Sequence, residues 1–143
     1  MASELLDSDE IVFVISSAHP LAARRTLGAR DLTEHPIITS THTPKAEQRM
    51  FVGRVFGRRP PRLEQLQLPL TEAIIDAARA GMGVAVLSEW IASTYLGGSD
   101  LVVKRLRGRP LRRPWRMAFR REVAQEAKWL AATLQVAPPR VHV

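Results

Sequence analysis

Hydrophobic and polar positions follow one another along this chain in blocks that change rhythm in a regular order. The clearest block is residues 67–90, QLPLTEAIIDAARAGMGVAVLSEW. A polar loop leads to Ile74, Ile75 and Ala78 on one helical face, then to Gly81 and Gly83, then to the unbroken apolar run 84–87. This spacing predicts a helix, a glycine turn and a strand covered on both faces. Thr71 is expected to cap the helix. Glu72 is expected in its first turn, where a carboxylate suits the positive end of the helix dipole. Gly81 is expected to stop the helix. Loop, helix, turn and parallel strand form the crossover unit of an α/β sheet, in which small ligands gather where strand ends meet helix starts.

The rest of the chain extends the pattern. Residues 10–16, EIVFVIS, form a first strand buried on both sides. Residues 17–21 break it with a proline, and 24–34 are a polar connection with one helical turn at Asp31, Leu32 and Thr33. Residues 36–41, PIITST, read as a second strand ending in hydroxyls. Thr43 and Pro44 have the cap and first-turn pattern of a helix that runs through Met50, Phe51, Val55 and Phe56 to Gly57. Residues 62–67 alternate weakly, as a strand does. Ser88 is placed to cap a short helix over 89–95. Residues 101–106 are a further strand, and 115–120 are its expected hairpin partner across the Pro-, Gly- and Arg-rich turn 107–114. Val123, Ala127, Leu130, Ala131 and Leu134 make the stripe of a last helix, expected to end at Pro138 and Pro139. Strands alternating with helices argue for an α/β fold with a largely parallel sheet. The first strand and the last strand–strand–helix unit look separate from the middle, 17–98. They would have to build a second, small sheet with a thin core.

Composition narrows the classes of function. The chain has 143 residues, 45% hydrophobic and 24% charged, which suits one globular domain. It contains no cysteine, which excludes a disulfide scaffold and any thiolate metal site. No apolar run approaches the roughly 20 residues that span a bilayer, and the N-terminus lacks the basic start and apolar middle of a signal peptide, so a cytoplasmic protein is expected. Net charge is +7, with basic residues concentrated between Lys104 and Arg121. Such a stretch reads either as a phosphate-binding patch of a nucleic-acid-binding protein or as a solvated strand edge whose charges discourage aggregation.

Three motifs in order carry a resemblance. An apolar strand leads into His19-Pro20-Leu21-Ala22; Asp31-Leu32 precedes Pro36-Ile37-Ile38; and Glu72-Ala73-Ile74-Ile75 leads through Ala80-Gly81-Met82-Gly83-Val84-Ala85 to Leu87-Ser88-Glu89-Trp90. Over residues 10–121 the chain resembles the C-terminal part of a LysR-type transcriptional regulator. The stretch from Leu101 through Trp115 to Arg120 is similar to the branch that regulates methionine biosynthesis. The resemblance implies an effector-binding domain of the type II periplasmic-binding-protein fold, with a small molecule held between two α/β subdomains. Residues 1–16 would be a crossover strand and 17–98 the complete second subdomain. Residues 99–143 would supply the return strand, hairpin and C-terminal helix of the first. The 143 residues hold no winged helix-turn-helix, no linker helix and no first half of subdomain one. The chain is therefore expected to be a truncated product or a fragment, to reach DNA only through a helix-turn-helix domain outside it, and to pair with a second copy.

The candidate binding residues lie in two loops. Thr39, Ser40, Thr41 and His42 end a strand, and their hydroxyls and backbone N–H groups suit a carboxylate. The bland reading is an ordinary turn that caps the next helix. Pro69, Leu70 and Thr71 precede the central helix, whose free N–H donors make an anion site; simple capping by Thr71 is the alternative there. Gln67 is a weaker neighbour. The resemblance implies that both loops line the effector cleft and hold a small metabolite there, and the hydroxyls and free N–H groups of the loops make that metabolite an expected anion. Gly81 and Gly83 follow a helix and precede a strand, the reverse of a dinucleotide fingerprint, so both read as structural. The apolar run 84–87 suits a strand better than a recognition helix. His19, His35, His42 and His142 have no metal-ligand spacing, and His19 is expected to organise the turn before Pro20. The carboxylates are scattered and no acid–base pair stands out. Trp90, Trp115 and Trp129 are far apart and read as core or interface fillers. No catalytic set, metal or cofactor is expected.

Overall fold

The computed structural model describes residues 1–137. Its first strand, β1 (Ala2–Ser16), starts well before the apolar run that marks it in the sequence. Residues 9–16 are buried on both faces, whereas the polar half before them is only partly covered. That first half is a strand because it pairs with β7 (Arg112–Phe119), from Ala2 opposite Phe119 to Glu10 opposite Arg112, with one irregularity between Leu5 and Asp7. The remaining strands are β2 (Thr26–Leu27), β3 (Ile37–Ser40), β4 (Gln65–Leu68), β5 (Val84–Ser88) and β6 (Leu101–Leu106). The sheet runs in the order β2-β6-β1-β5-β3-β4, with β7 on β1. β1 is antiparallel to β5, β6 and β7; β3 is parallel to β4 and β5, and β2 to β6. The expected α/β architecture is present as a mixed sheet flanked by helices.

The hairpin expected between residues 101–106 and 115–120 does not form. Both edges of β6 are occupied, by β1 and by β2. Residues 107–111 instead carry Leu111 into the core, 1% exposed, where its carbonyl accepts a hydrogen bond from Ile11 N at 2.9 Å. This anchor hands the chain across to β1, so β7 begins at Arg112, inside the expected turn.

Two cores form because strand residues face alternate sides. Val12, Val14, Ile38 and Ala85 pack under α3 (Thr71–Arg79), whose Ile74, Ile75 and Ala78 are buried as the stripe predicts. Ile11, Phe13, Ile37 and Val84 face the other way, toward Phe51 of α2 (Lys45–Phe56) and Leu32 of α1 (Ala29–Thr33). Burying each large side chain contributes roughly 1.5–3 kcal/mol. The last helix, α5 (Ala124–Val136), buries Ala127 and Ala131, but Leu130 and Val123 of the expected stripe are 53% and 45% exposed. Pro138, Pro139 and His142 lie outside the described residues.

Glycine acts at two places as its position in the sequence suggests. α3 ends with Gly81 at φ 77°, Met82 N donating to Ala77 O and Gly81 N to Ala78 O, a Schellman closure. Gly83 lies against Pro36, so that a Cβ there would collide with the Pro36 carbonyl oxygen. That contact lets Val84 N donate to Pro36 O at 2.8 Å and starts β5 beside β3. Both helix starts shift by one residue from expectation. Pro44 and Leu70 are the caps, with no side-chain capping bond, and Thr71 is the first residue of α3. Residues 62–64 precede β4 as irregular chain.

Candidate functional site: a crevice where two strands part

β3 and β5 pair only as far as Ile38 opposite Ala85, while β3 continues beside β4 to Ser40 opposite Leu68. From β3 the chain crosses through α2 to β4, and from β4 through α3 back past β3 to β5. α2 and α3 lie on opposite faces. The gap between β3 and β5 is therefore a topological switch point, the place where an open α/β sheet leaves room for a ligand. A cavity of about 110 Å³ opens there. Its walls are apolar (Ile11, Ile37, Phe51, Val86 and neighbours) with Thr39, Thr43, Glu47, Gln48, Gln65 and Ser88 as the polar groups.

Behind this cavity lies a charged network. Arg113 of β7 donates through Nε to Asp9 at 2.8 Å, through a second nitrogen to the other Asp9 oxygen at 3.2 Å, and through Nη1 to Glu47. Ser88 Oγ donates to the same Asp9 carboxylate and accepts from Trp90 N at 3.2 Å. That second bond caps α4 (Glu89–Ala92), as expected of Ser88. Asp9 is fully buried. Partial burial works against the Arg113 cation, but the hydrogen bonds and charges of Asp9 and Glu47 more than offset it and hold its pKa above the ordinary arginine value. The next residue of β1, Glu10, is also buried and is ion-paired with Arg105, which reaches Glu89 at 3.1 Å. The arginine-rich stretch is thus not a uniform patch. Arg105 and Arg113 are held among carboxylates, while Arg107, Arg109, Arg112, Arg116, Arg120 and Arg121 are exposed.

Of the sequence-predicted residues, Thr39 lines the cavity. Ser40 Oγ accepts from His42 N at 3.1 Å, and His42 is exposed. Thr41 N donates to Leu68 O at 3.1 Å, which sets the turn after β3 beside Pro69, Leu70 and Thr71 at the end of β4. The two predicted loops are therefore neighbours at the carboxyl ends of the parallel strands. Asp9 and Glu47 are not singled out in the sequence, and Thr43, Ser88 and Arg113 are read there only as helix caps and as part of the basic stretch. The available signal is the acidic pair Asp9-Glu10 at the head of a wholly apolar run, where two consecutive carboxylates require partners on both faces. The carboxylates are not all scattered, because the fold gathers Asp9 with Glu47 and Glu10 with Glu89. The tryptophans are not all apart either. Trp90 and Trp115 stack, with centroids 4.9 Å apart and planes 15° from parallel, and the Arg113 guanidinium lies 5.3 Å from the Trp115 centroid. Trp129 is 64% exposed.

His19 acts on the turn that begins at Pro20, not on the one before it, by capping the 3-10 turn Pro20–Ala23. Its Nδ1 accepts from Leu21 N at 3.0 Å, and its ring lies 4.8 Å from that of His35. Burial, aided by the His35 charge, holds its pKa below the usual histidine value. Among the described residues no group of three or more His, Cys, Asp or Glu is arranged to hold a metal ion, and no helix is long and apolar enough to cross a membrane.

Residues 1–136 match the LysR substrate binding domain. The chain belongs to that family. A curated relative, the RuBisCO operon transcriptional regulator of Allochromatium vinosum, is 28% identical over 120 residues, which cover 83% of this chain and 39% of that protein. The chain thus spans about two fifths of that relative's length. Among solved structures, the regulatory domain of MetR from N. meningitidis superposes with a TM-score of 0.74 at 20% identity, covering 99% of this chain and 70% of that one. The CcmR regulatory domain of Synechocystis, solved in complex with 2-PG, superposes with a TM-score of 0.73 at 22% identity, covering 92% and 66%. At these identities the likeness is one of fold, and it is the periplasmic-binding-protein-like fold that the resemblance implies.

Proposed function

We propose that this LysR substrate-binding domain is the effector-sensing module of a DNA-binding transcriptional regulator and not an enzyme, and that it takes a small anionic metabolite at the carboxyl ends of β3, β4 and β5. The observation that carries the reading is the cavity at the switch point, with Thr39 and Thr43 in its wall; the turn 40–43 and the loop 69–71 lie side by side at the carboxyl ends of β3 and β4. α2 and α3 both begin at this edge, and their free N–H groups and dipoles favour an anion. That the CcmR regulatory domain holds 2-PG supports a small ligand in this fold. Thr39, Ser40, Thr41 and His42 would contact the ligand from one side, and Pro69, Leu70 and Thr71 from the other. Binding would shift the geometry of a dimer. DNA would be contacted by a helix-turn-helix domain outside these residues, and the coupling would act in both directions.

The test is a thermal-shift screen of small carboxylates and phosphates, followed by calorimetry on Thr39→Val. A ligand at a hundred times its Kd should stabilise the fold by about 2.7 kcal/mol. Thr39→Val should weaken that ligand about tenfold, the effect of one lost hydrogen bond of about 1.4 kcal/mol, with little change in the unliganded melt. A screen with no stabilising compound, or a ligand indifferent to Thr39 and to the loop 69–71, would overturn the proposal.

A further inference from the structure

We infer that Arg113 is the positioning residue that couples occupancy of the cavity to the ribbon made by β7 and the first half of β1. The inference rests on the reading that the cavity takes an effector, and it adds the route by which the rest of the molecule senses it.

Arg113 stands opposite Asp9 in the β1–β7 register, so its two-pronged bond to Asp9 clamps the ribbon where it joins the main sheet. The remaining nitrogen reaches Glu47, which belongs to α2 and lines the cavity. The Asp9 carboxylate is also held by Ser88, which lines the opposite wall. Two walls of the cavity therefore meet in one guanidinium–carboxylate pair at the root of the ribbon. A second contact runs in parallel. Two residues along β7, Trp115 lies beneath the guanidinium and stacks on Trp90 of α4, the helix that Ser88 caps.

Two carboxylates share one cation here, and only Asp9 is fully buried; the Glu47 side chain is 29% exposed. Asp9 is the fixed partner and Glu47 the exchangeable one. A ligand whose hydroxyl or amine group donates to Glu47, or that hydrogen-bonds Ser88, competes with the bonds that these residues make to Arg113 and Asp9. Binding would thus change the grip on the ribbon, and a loosened ribbon would change the cavity wall by the same amount.

The test uses the free 143-residue chain and needs no ligand. Amide exchange would be followed in residues 2–9 and 112–119, together with the exciton circular-dichroism couplet of the Trp90–Trp115 stack. Glu47→Gln keeps the shape of the side chain and removes its charge. It should speed exchange in the ribbon about tenfold and weaken the couplet. Adding Glu47→Gln to Arg113→Lys, which keeps the charge but cannot bridge two carboxylates in a fork, should add little. Unchanged ribbon exchange and couplet in Glu47→Gln, or full additivity of the two substitutions, would overturn the coupling. Because the readout requires no effector, that failure would leave a positive thermal-shift screen standing. A ribbon loosened by Glu47→Gln in a chain that binds no compound would support the wiring while the binding reading failed.

Discussion

The centre of the sheet and the β1–β7 ribbon share one strand yet are stabilised in different ways. From Asp9 onward β1 has helices on both faces, and Phe13, Val12, Val14 and Ile15 are fully buried. Before Asp9 the same strand has β7 as its sheet partner and α5 on one face, with Leu5, Trp129 and Leu130 exposed. The centre is held by apolar area, which is insensitive to small displacements. The ribbon is held by strand pairing and by a few directional contacts at its root, chiefly Arg113 with Asp9 and Glu47 and the tryptophan stack. A two-stranded ribbon with a half-covered helix has little stability of its own. The difference teaches that the rigid part of this domain shapes the pocket, and that the less stable part is the one able to respond to it.

The comparison can be tested in order of expected effect. Phe13→Ala, in the doubly covered half, should cost about 3–5 kcal/mol in denaturant unfolding. Gly83→Ala should cost at least about 1–3 kcal/mol, because the new methyl must push apart Pro36 and the start of β5. A smaller and pH-dependent effect should come from His19. Its pKa is lowered in the folded state, so the unfolded chain binds the proton first as pH falls below about 6.5. Stability should therefore fall with acidification through that window. Comparing wild type with His19→Asn, which keeps an acceptor for Leu21 N, should isolate this part of the slope in Tm against pH. Trp129→Ser, on the ribbon side, should change stability by less than about 0.5 kcal/mol. A large loss there would mean that the exposed face of α5 is covered in solution, and a concentration-dependent melt would identify self-association as the cover.

Much of the central sheet is legible in the sequence because its signals are local. Ile74, Ile75 and Ala78 mark one face of α3, Gly81 closes the helix, Ser88 caps α4, and the bounds of β6 coincide with the strand expected over 101–106. The partner of β7 is not legible in the same way. Alternation along residues 112–119 tells which side chains share a face, but not which strand edge receives them; that is decided by Leu111 entering the core and by β6 carrying β1 on one edge and β2 on the other. The first half of β1 is hidden because cross-strand bonds, and not apolar periodicity, make it a strand. Of the predicted site, the two loops are visible as strand ends and a helix start. The charged network is not, since Asp9, Glu47, Ser88 and Arg113 lie far apart in sequence and are joined by topology alone. The consecutive acids Asp9 and Glu10, set against an unbroken apolar run, are the local trace of that network.

The length of β1 has a consequence for the order in which the molecule assembles. Its fifteen residues pair with β5, β6 and β7, all of which follow much later in the chain, the last at a separation of more than a hundred residues. In the order of synthesis this strand precedes all three of its partners. During that interval the apolar segment from Ile11 to Ile15 is an unpaired edge on both sides, the kind of surface that chaperones bind and that misassociates when crowded. Synthesis rate and early shielding of β1 should therefore influence the yield of folded protein.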